Sequence, residues 1–331
     1  MRVAVVGAGG MGGYFGGLLA RAGEDVTFVA RARTLDALRT RGIAVRSRVA
    51  GDFELRVQAT DDPRDVGPVD LVLFCVKAYD VDAAAPTLPP LVGADTAVLA
   101  VQNGVDHVDR LGRVVGPEHV LGGVSYVYAT AEAPGVVVHG GGTRLLVGEL
   151  AGGPSLRAER LAAMFQQAGI AAELHHDIRV ALWEKFTVVC AASGMTALTR
   201  LPVGPIMACP ESAALVRGLM EEAVAVARAM GVALAADRVP RLFDVLAVFE
   251  PSARASQHYD LVDGRRLELE SLNGTAVRLG REHSVSTPLN FAVYTALRPY
   301  RDGPPALPRG VAAASPLTRT RGLPYKGVAL L

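Results

Sequence analysis

MRVAVVGAGGMG, residues 1–12, opens the chain and decides how its fold is read. Arg2 to Val6 is an apolar run of strand length, and Gly7, Ala8, Gly9, Gly10, Met11 and Gly12 follow as G-x-G-x-x-G. Tyr14 to Ala22 predicts a small-residue helix ending at Gly23, and Asp25 to Ala30 predicts a second strand. A glycine triplet alone is a weak signal. Placed after a strand and at the mouth of a helix, it is what a dinucleotide phosphate requires. The first glycine makes the tight turn, the second lets the backbone approach the pyrophosphate, and the third lets helix and strand pack closely. The helix N-terminus then faces the anion.

The end of the second strand bears on which dinucleotide binds. An acid there holds the ribose 2′-hydroxyl of NAD. This chain instead reads Val29-Ala-Arg-Ala-Arg33, so Arg31 is expected on a 2′-phosphate and NADPH is the expected cofactor. Farther on, Val69 to Val76 and Thr96 to Val101 are continuous apolar runs, the pattern of strands buried on both faces. Val120 to Ala129, Gly135 to His139 and Arg144 to Gly148 predict strands joined by glycine turns, hence an antiparallel portion of the sheet. From about Asp177 the period becomes helical, over Ile178 to Leu198, Ser212 to Met230, Ala236 to Val248 and Leu267 to Leu279. The expected fold is an α/β Rossmann-type N-terminal domain, residues 1–176, followed by an all-helical C-terminal domain, 177–300. A Pro- and Gly-rich irregular tail, 301–331, completes the chain.

With 331 residues, half of them hydrophobic, the chain has room for two well-buried domains and is no disordered protein. Its 34 basic and 33 acidic residues leave a net charge of +1, which points to neither nucleic acid nor a membrane surface as partner. The opening run is too short for a signal peptide, and Gly218 to Ala236 is broken by Glu221, Glu222 and Arg228. Three cysteines in apolar stretches fit a reduced, cytoplasmic protein. The 34 basic residues include only three lysines, Lys77, Lys185 and Lys326, and there are only three asparagines, Asn103, Asn273 and Asn290. Where arginine serves as the general cation, a retained lysine suggests a need for a titratable ammonium.

Leu182, Lys185, Val189 and Ser193 share one helical stripe, apolar apart from the lysine and the serine. The chain as a whole resembles the ketopantoate reductases (2-dehydropantoate 2-reductases) from Met1 to about Arg298. The resemblance rests on VVGAGGMGGYFGGLLARAG, CVKAYD around Lys77, VQNGVD around Asn103, WEKF around Lys185, TALTR after it, and ASQHYDLVDGRRLELESLNG at 255–274. It implies that NADPH reduces a 2-oxo acid to a 2-hydroxy acid, with Lys185 polarising the carbonyl oxygen and supplying its proton. It also implies that Asn103 lies where cofactor and substrate meet, Lys77 beside the cofactor, Glu268 at the edge of the site toward lysine, substrate or cofactor, and Ser256 on the substrate. Each also has a plain structural reading: Asn103-Gly104 as a turn, Ser256 as a helix cap, Glu268 on a solvated face beside Arg265 and Arg266.

Ketopantoate-specific members resemble one another in asparagines four and eight residues after the lysine and again farther on. Here those positions are Val189, Ser193 and Val203, with Ser193 left as a polar candidate toward substrate. The expected reaction is reduction of 2-dehydropantoate to pantoate, in pantothenate and CoA biosynthesis. The alternatives are a related reductase of a more apolar carbonyl compound and a non-catalytic NADPH sensor. His175, His176 and Asp177 lack metal spacing and predict a surface turn, so no metal is expected. A homodimer is compatible with this reading, the sequence itself fixing no assembly.

Overall fold

In a computed structural model, described here for residues 1–305, the chain divides into two compact units, Met1–Leu182 and the residues from Trp183 onward. The first is built on a mixed ten-stranded sheet. β1 (Arg2–Val6) pairs in parallel with β2 (Asp25–Val29), and the helix between them, α1, spans Gly10–Arg21. α2 (Ala32–Arg41) leads into β3 (Ile43–Ser47), β4 (Phe53–Leu55) and β5 (Gln58–Thr60). β6 (Leu71–Phe74), the short α3 (Val81–Ala84), β7 (Ala97–Ala100) and α4 (His107–Val115) follow. Next come β8 (Val120–Ala133), β9 (Val136–Glu149), α5 (Leu156–Gln167) and β10 (Ala171–Leu174). The strand order is β4-β3-β9-β8-β7-β6-β1-β2-β5, with β10 added parallel to β9. β7, β6, β1 and β2 are parallel neighbours, and β6 and β7 are buried along their whole length, as their unbroken apolar runs require. Phe15 meets Phe165 edge to face at 6.0 Å in the core of this unit, a pair worth about 0.5–1.5 kcal/mol beyond its buried area.

Three local expectations are corrected. The helix predicted from Tyr14 begins at Gly10, because its glycines are places of contact rather than slack. A Cβ on Gly10 would lie 2.2 Å from the Ala129 carbonyl oxygen, and one on Gly13 would lie 2.5 Å from Val137. Close packing thus offsets glycine's poor helix propensity. The two strands expected at 135–139 and 144–148 are one strand, β9, antiparallel to β8, and Gly141 and Gly142 take positive φ where the register shifts. The helix expected over Leu267 to Leu279 is two pieces: a 3₁₀ turn at Leu269–Ser271, and α11, Asn273–Glu282. Leu272 leaves helical geometry between them (φ −111°, ψ −106°), where the Asn273 amide donates to Asn290 Oδ1 at 3.0 Å.

α6 runs over Ile178–Thr199, and the boundary between the units falls within it. The second unit continues with α7 (Val203–Ala208), α8 (Pro210–Ala229), α9 (Arg238–Ala247), α10 (Ser256–Val262), α11 and α12 (Pro288–Leu297). The start of α12 has no cap of its own, so Glu222 on α8 supplies one. Its carboxylate accepts from the backbone N–H of Leu289 and of Asn290, each at 2.8 Å, and from the Asn290 amide at 2.7 Å. Residues 306–331, most of the expected irregular tail, lie outside the described residues. No helix among the described residues is long and apolar enough to cross a membrane.

Candidate active site

In the first unit the topology brings four candidate segments to one edge. The Gly7–Gly12 turn follows β1, Arg31 follows β2, Lys77 follows β6 and Asn103 follows β7, all at the carboxyl ends of neighbouring parallel strands. Open α/β sheets bind ligands at that edge. Gly7 has φ +97°, and a Cβ there would sit 2.7 Å from the Val76 backbone nitrogen, so glycine is required. A Cβ on Gly12 would lie 2.0 Å from the Gly7 carbonyl oxygen. Gly9, the N-cap of α1, is exposed with nothing within 4 Å of an added Cβ, and the helix has neither a side-chain cap nor an acid in its first turn. Its orphan N–H groups are thus left for an anion from outside. The residues fit a dinucleotide pyrophosphate.

Arg31 is exposed and is the N-cap of α2. Lys77, also exposed, stands at the N-cap position of the 3₁₀ turn Ala78–Asp80 that leaves β6. Asn103 is half-buried before Gly104, whose φ is +109°, so the turn reading holds for the backbone. Gln102 fixes that loop by donating to the Phe74 carbonyl at 2.8 Å, joining the ends of β6 and β7. A shallow cavity lined by Arg2, Asp25, Arg39, Gln58 and Asp65 opens at the opposite, amino-terminal edge of the sheet, away from these residues.

In the second unit Lys185 is part-buried on α6, and desolvation of its ammonium lowers its pKa to about 8, against the pull of the Glu268 carboxylate, which raises it. Glu268 is buried, at 5% exposure, rather than on a solvated face. Val189, Ser193 and Val203 are buried, and the Ser193 hydroxyl has no hydrogen-bond partner among the described residues. Ser256 is half-buried as the first residue of α10, whose N-cap is Ala255. Gln257 beside it is fully buried with neither amide atom hydrogen-bonded among the described residues, and His258 Nδ1 meets the Thr196 carbonyl of α6 at 2.9 Å. No group of three or more His, Cys, Asp and Glu among the described residues could hold a metal ion. Sequence reasoning met Gln257 only within the ASQHYD stretch and gave it no role of its own, and it missed a cluster of Tyr14, Ser47 and His139 in the first unit. Pairing of β3 with β9 sets Ser47 beside His139 and packing of α1 brings Tyr14 onto the ring, so no local spacing signals the cluster.

Comparison with known proteins shows the family and the fold. Residues 3–152 match the model of "Ketopantoate reductase PanE/ApbA", and residues 177–301 match "Ketopantoate reductase PanE/ApbA C terminal". The 2-dehydropantoate 2-reductase of Archaeoglobus fulgidus is 33% identical over 305 residues, covering 91% of this chain and 98% of that protein. The crystal structure of a PanE/ApbA family ketopantoate reductase from Ralstonia eutropha JMP134 superposes with a TM-score of 0.83 at 36% identity, over 91% of this chain and 98% of that one. A D-mandelate dehydrogenase, solved with NADH and anilino(oxo)acetate, shares the fold at 22% identity, with a TM-score of 0.83 and 91% and 98% covered.

Proposed function

The chain belongs to the ketopantoate reductase family and is an oxidoreductase acting on CH–OH groups, and from that premise we propose that it reduces a 2-oxo acid to a 2-hydroxy acid with NADPH. The observation that carries this reading is Lys185: in a chain that uses arginine almost everywhere, a desolvated lysine stands on α6, with the buried Glu268 carboxylate raising its pKa. When bound, the nicotinamide supplies hydride to the carbonyl carbon. Lys185, as the ammonium, hydrogen-bonds the carbonyl oxygen, stabilises the charge that grows there and transfers a proton to it. Glu268 keeps enough of the ammonium protonated near neutral pH. The N–H groups at the start of α1 hold the pyrophosphate, Arg31 takes the 2′-phosphate, Lys77 supports the cofactor, and Asn103 with Ser256 and Ser193 orients the reactants. On this reading residues 1–176 serve the nucleotide and 177–300 the substrate, in a cytoplasmic protein acting alone or as a homodimer.

The first substrate proposed is 2-dehydropantoate, giving pantoate for pantothenate and CoA biosynthesis. Val189 and Val203 favour a second reading, a more apolar 2-oxo acid, because two buried aliphatic groups offer a polar substrate no partner, at about 1–3 kcal/mol for each group left unpaired. The deciding experiment follows the loss of NADPH absorbance with ketopantoate beside bulkier and more apolar 2-oxo acids, each repeated with NADH. Turnover of ketopantoate supports the first reading. Activity confined to an apolar member of the panel moves the protein to the second.

A further inference from the structure

The β8–β9 hairpin does more than extend the sheet. A Cβ on Gly10 would collide with the Ala129 carbonyl and the Thr130 Cα of β8, so the first turn of α1 lies in backbone contact with the hairpin. Ala129 pairs across the hairpin with His139. The His139 ring stacks on Tyr14 of α1 with centroids 4.1 Å apart and planes 19° from parallel. The hairpin therefore grips the nucleotide helix twice within its first five residues, once through backbone and once through the ring.

His139 is itself held from two sides. Ser47 Oγ accepts from the backbone N–H groups of Val49 (3.2 Å) and Ala50 (2.9 Å), so its single hydrogen goes to His139 Nδ1 at 2.8 Å. Nδ1 is thus the acceptor, and the neutral ring carries its hydrogen on Nε2, which donates to the Gly142 carbonyl at 2.7 Å. That bond closes the irregular stretch of β9 where Gly141 and Gly142 take positive φ. Every polar atom of the ring is used, and its orientation is set by β3 and by the bend of β9.

We propose that His139 is a positioning residue for the nucleotide: locked by Ser47 and Gly142, it stacks on Tyr14 and sets α1 so that the Gly9–Gly12 N–H groups face the pyrophosphate. This inference rests on the proposed nucleotide reading. It is tested on the full-length chain by fluorescence titration with NADPH and with NADH, together with steady-state kinetics, for wild type, His139→Ala, His139→Phe and Ser47→Ala. The expected result is that His139→Ala weakens both nucleotides about tenfold or more. It raises KM for the nucleotide while kcat stays near wild type, because Lys185 is untouched. His139→Phe keeps a ring on Tyr14 and recovers most of the affinity. Ser47→Ala, a milder change that should fold, falls between. If His139→Ala and Ser47→Ala lower the melting temperature yet bind as wild type does, the role is merely structural and the proposal fails. It fails also if His139→Phe binds as weakly as His139→Ala. A wild-type chain that binds neither nucleotide overturns the nucleotide reading itself, a result distinct from both.

Discussion

At the scale of single residues, the proposed chemistry turns on how far Lys185 is desolvated. A general acid works in its protonated form, and burial brings the ammonium down from 10.5 to about 8. The kcat/KM for reduction is therefore expected to fall as pH rises through about 8. Glu268→Gln removes the carboxylate that raises the lysine's pKa, so the alkaline limb should move to lower pH. A pH–rate series on the two proteins checks both, and a limb unmoved by Glu268→Gln would separate Glu268 from the lysine. Lys185→Ala should cost about 10²–10⁴ in kcat while leaving NADPH binding intact. Arg31 poses the other question at this scale. If its guanidinium takes the 2′-phosphate, Arg31→Ala raises KM for NADPH far more than for NADH, and equal effects would sink that role.

At the scale of elements, α1 shows two kinds of glycine side by side. Gly10 is pressed on the backbone of β8, whereas Gly9 faces open space. Gly10→Ala should therefore strain the junction of helix and hairpin and cost at least about 1–3 kcal/mol, read as a lower melting temperature. Gly9→Ala should leave the melting temperature nearly unchanged but weaken NADPH, because its methyl would stand where the proposed reading puts the phosphate. The reverse pattern in a thermal melt and a binding titration would mean that the turn faces the other way. The stretch from Leu267 to Leu279 shows how an element escapes a periodic reading. Its apolar spacing is helical throughout, yet a Cβ on Gly274 would lie 3.1 Å from the Leu269 carbonyl, and Asn273 is drawn to Asn290 from α12. One close approach and one long-range hydrogen bond break the helix at Leu272.

For the whole molecule, pH is expected to act on stability through buried histidines, beside the effect on rate proposed for Lys185. His139 and His258 are both held below their ordinary 6.5, chiefly by burial and against hydrogen bonds to backbone that favour the charged form. A depressed histidine keeps its proton off in the folded state while the unfolded chain takes one up. Its contribution is full above pH 6.5 and is lost as pH falls below it. The melting temperature is expected to drop as the buffer is taken from neutral toward more acid values. The drop should be shallower in a His139→Phe, His258→Phe double variant, and equal slopes in the two proteins would assign the acid sensitivity elsewhere.

The sequence alone determined whatever is local. The rarity of lysine drew attention to Lys77, Lys185 and Lys326 and the family resemblance to Asn103, while the apolar strand before Gly7-Ala-Gly-Gly-Met-Gly12 and the change of period near Asp177 sufficed for an α/β half before a helical half. These rest on backbone sterics and on two- and 3.6-residue periodicities, which neighbours in sequence express by themselves. Only the tertiary structure decided what depends on distant partners. It merged 136–149 into one strand, buried Glu268 within a stretch that reads as charged surface, and joined Tyr14, Ser47 and His139 across three elements. Strand register and side-chain burial are set by contacts between residues far apart in the chain, and no spacing within a single segment carries them.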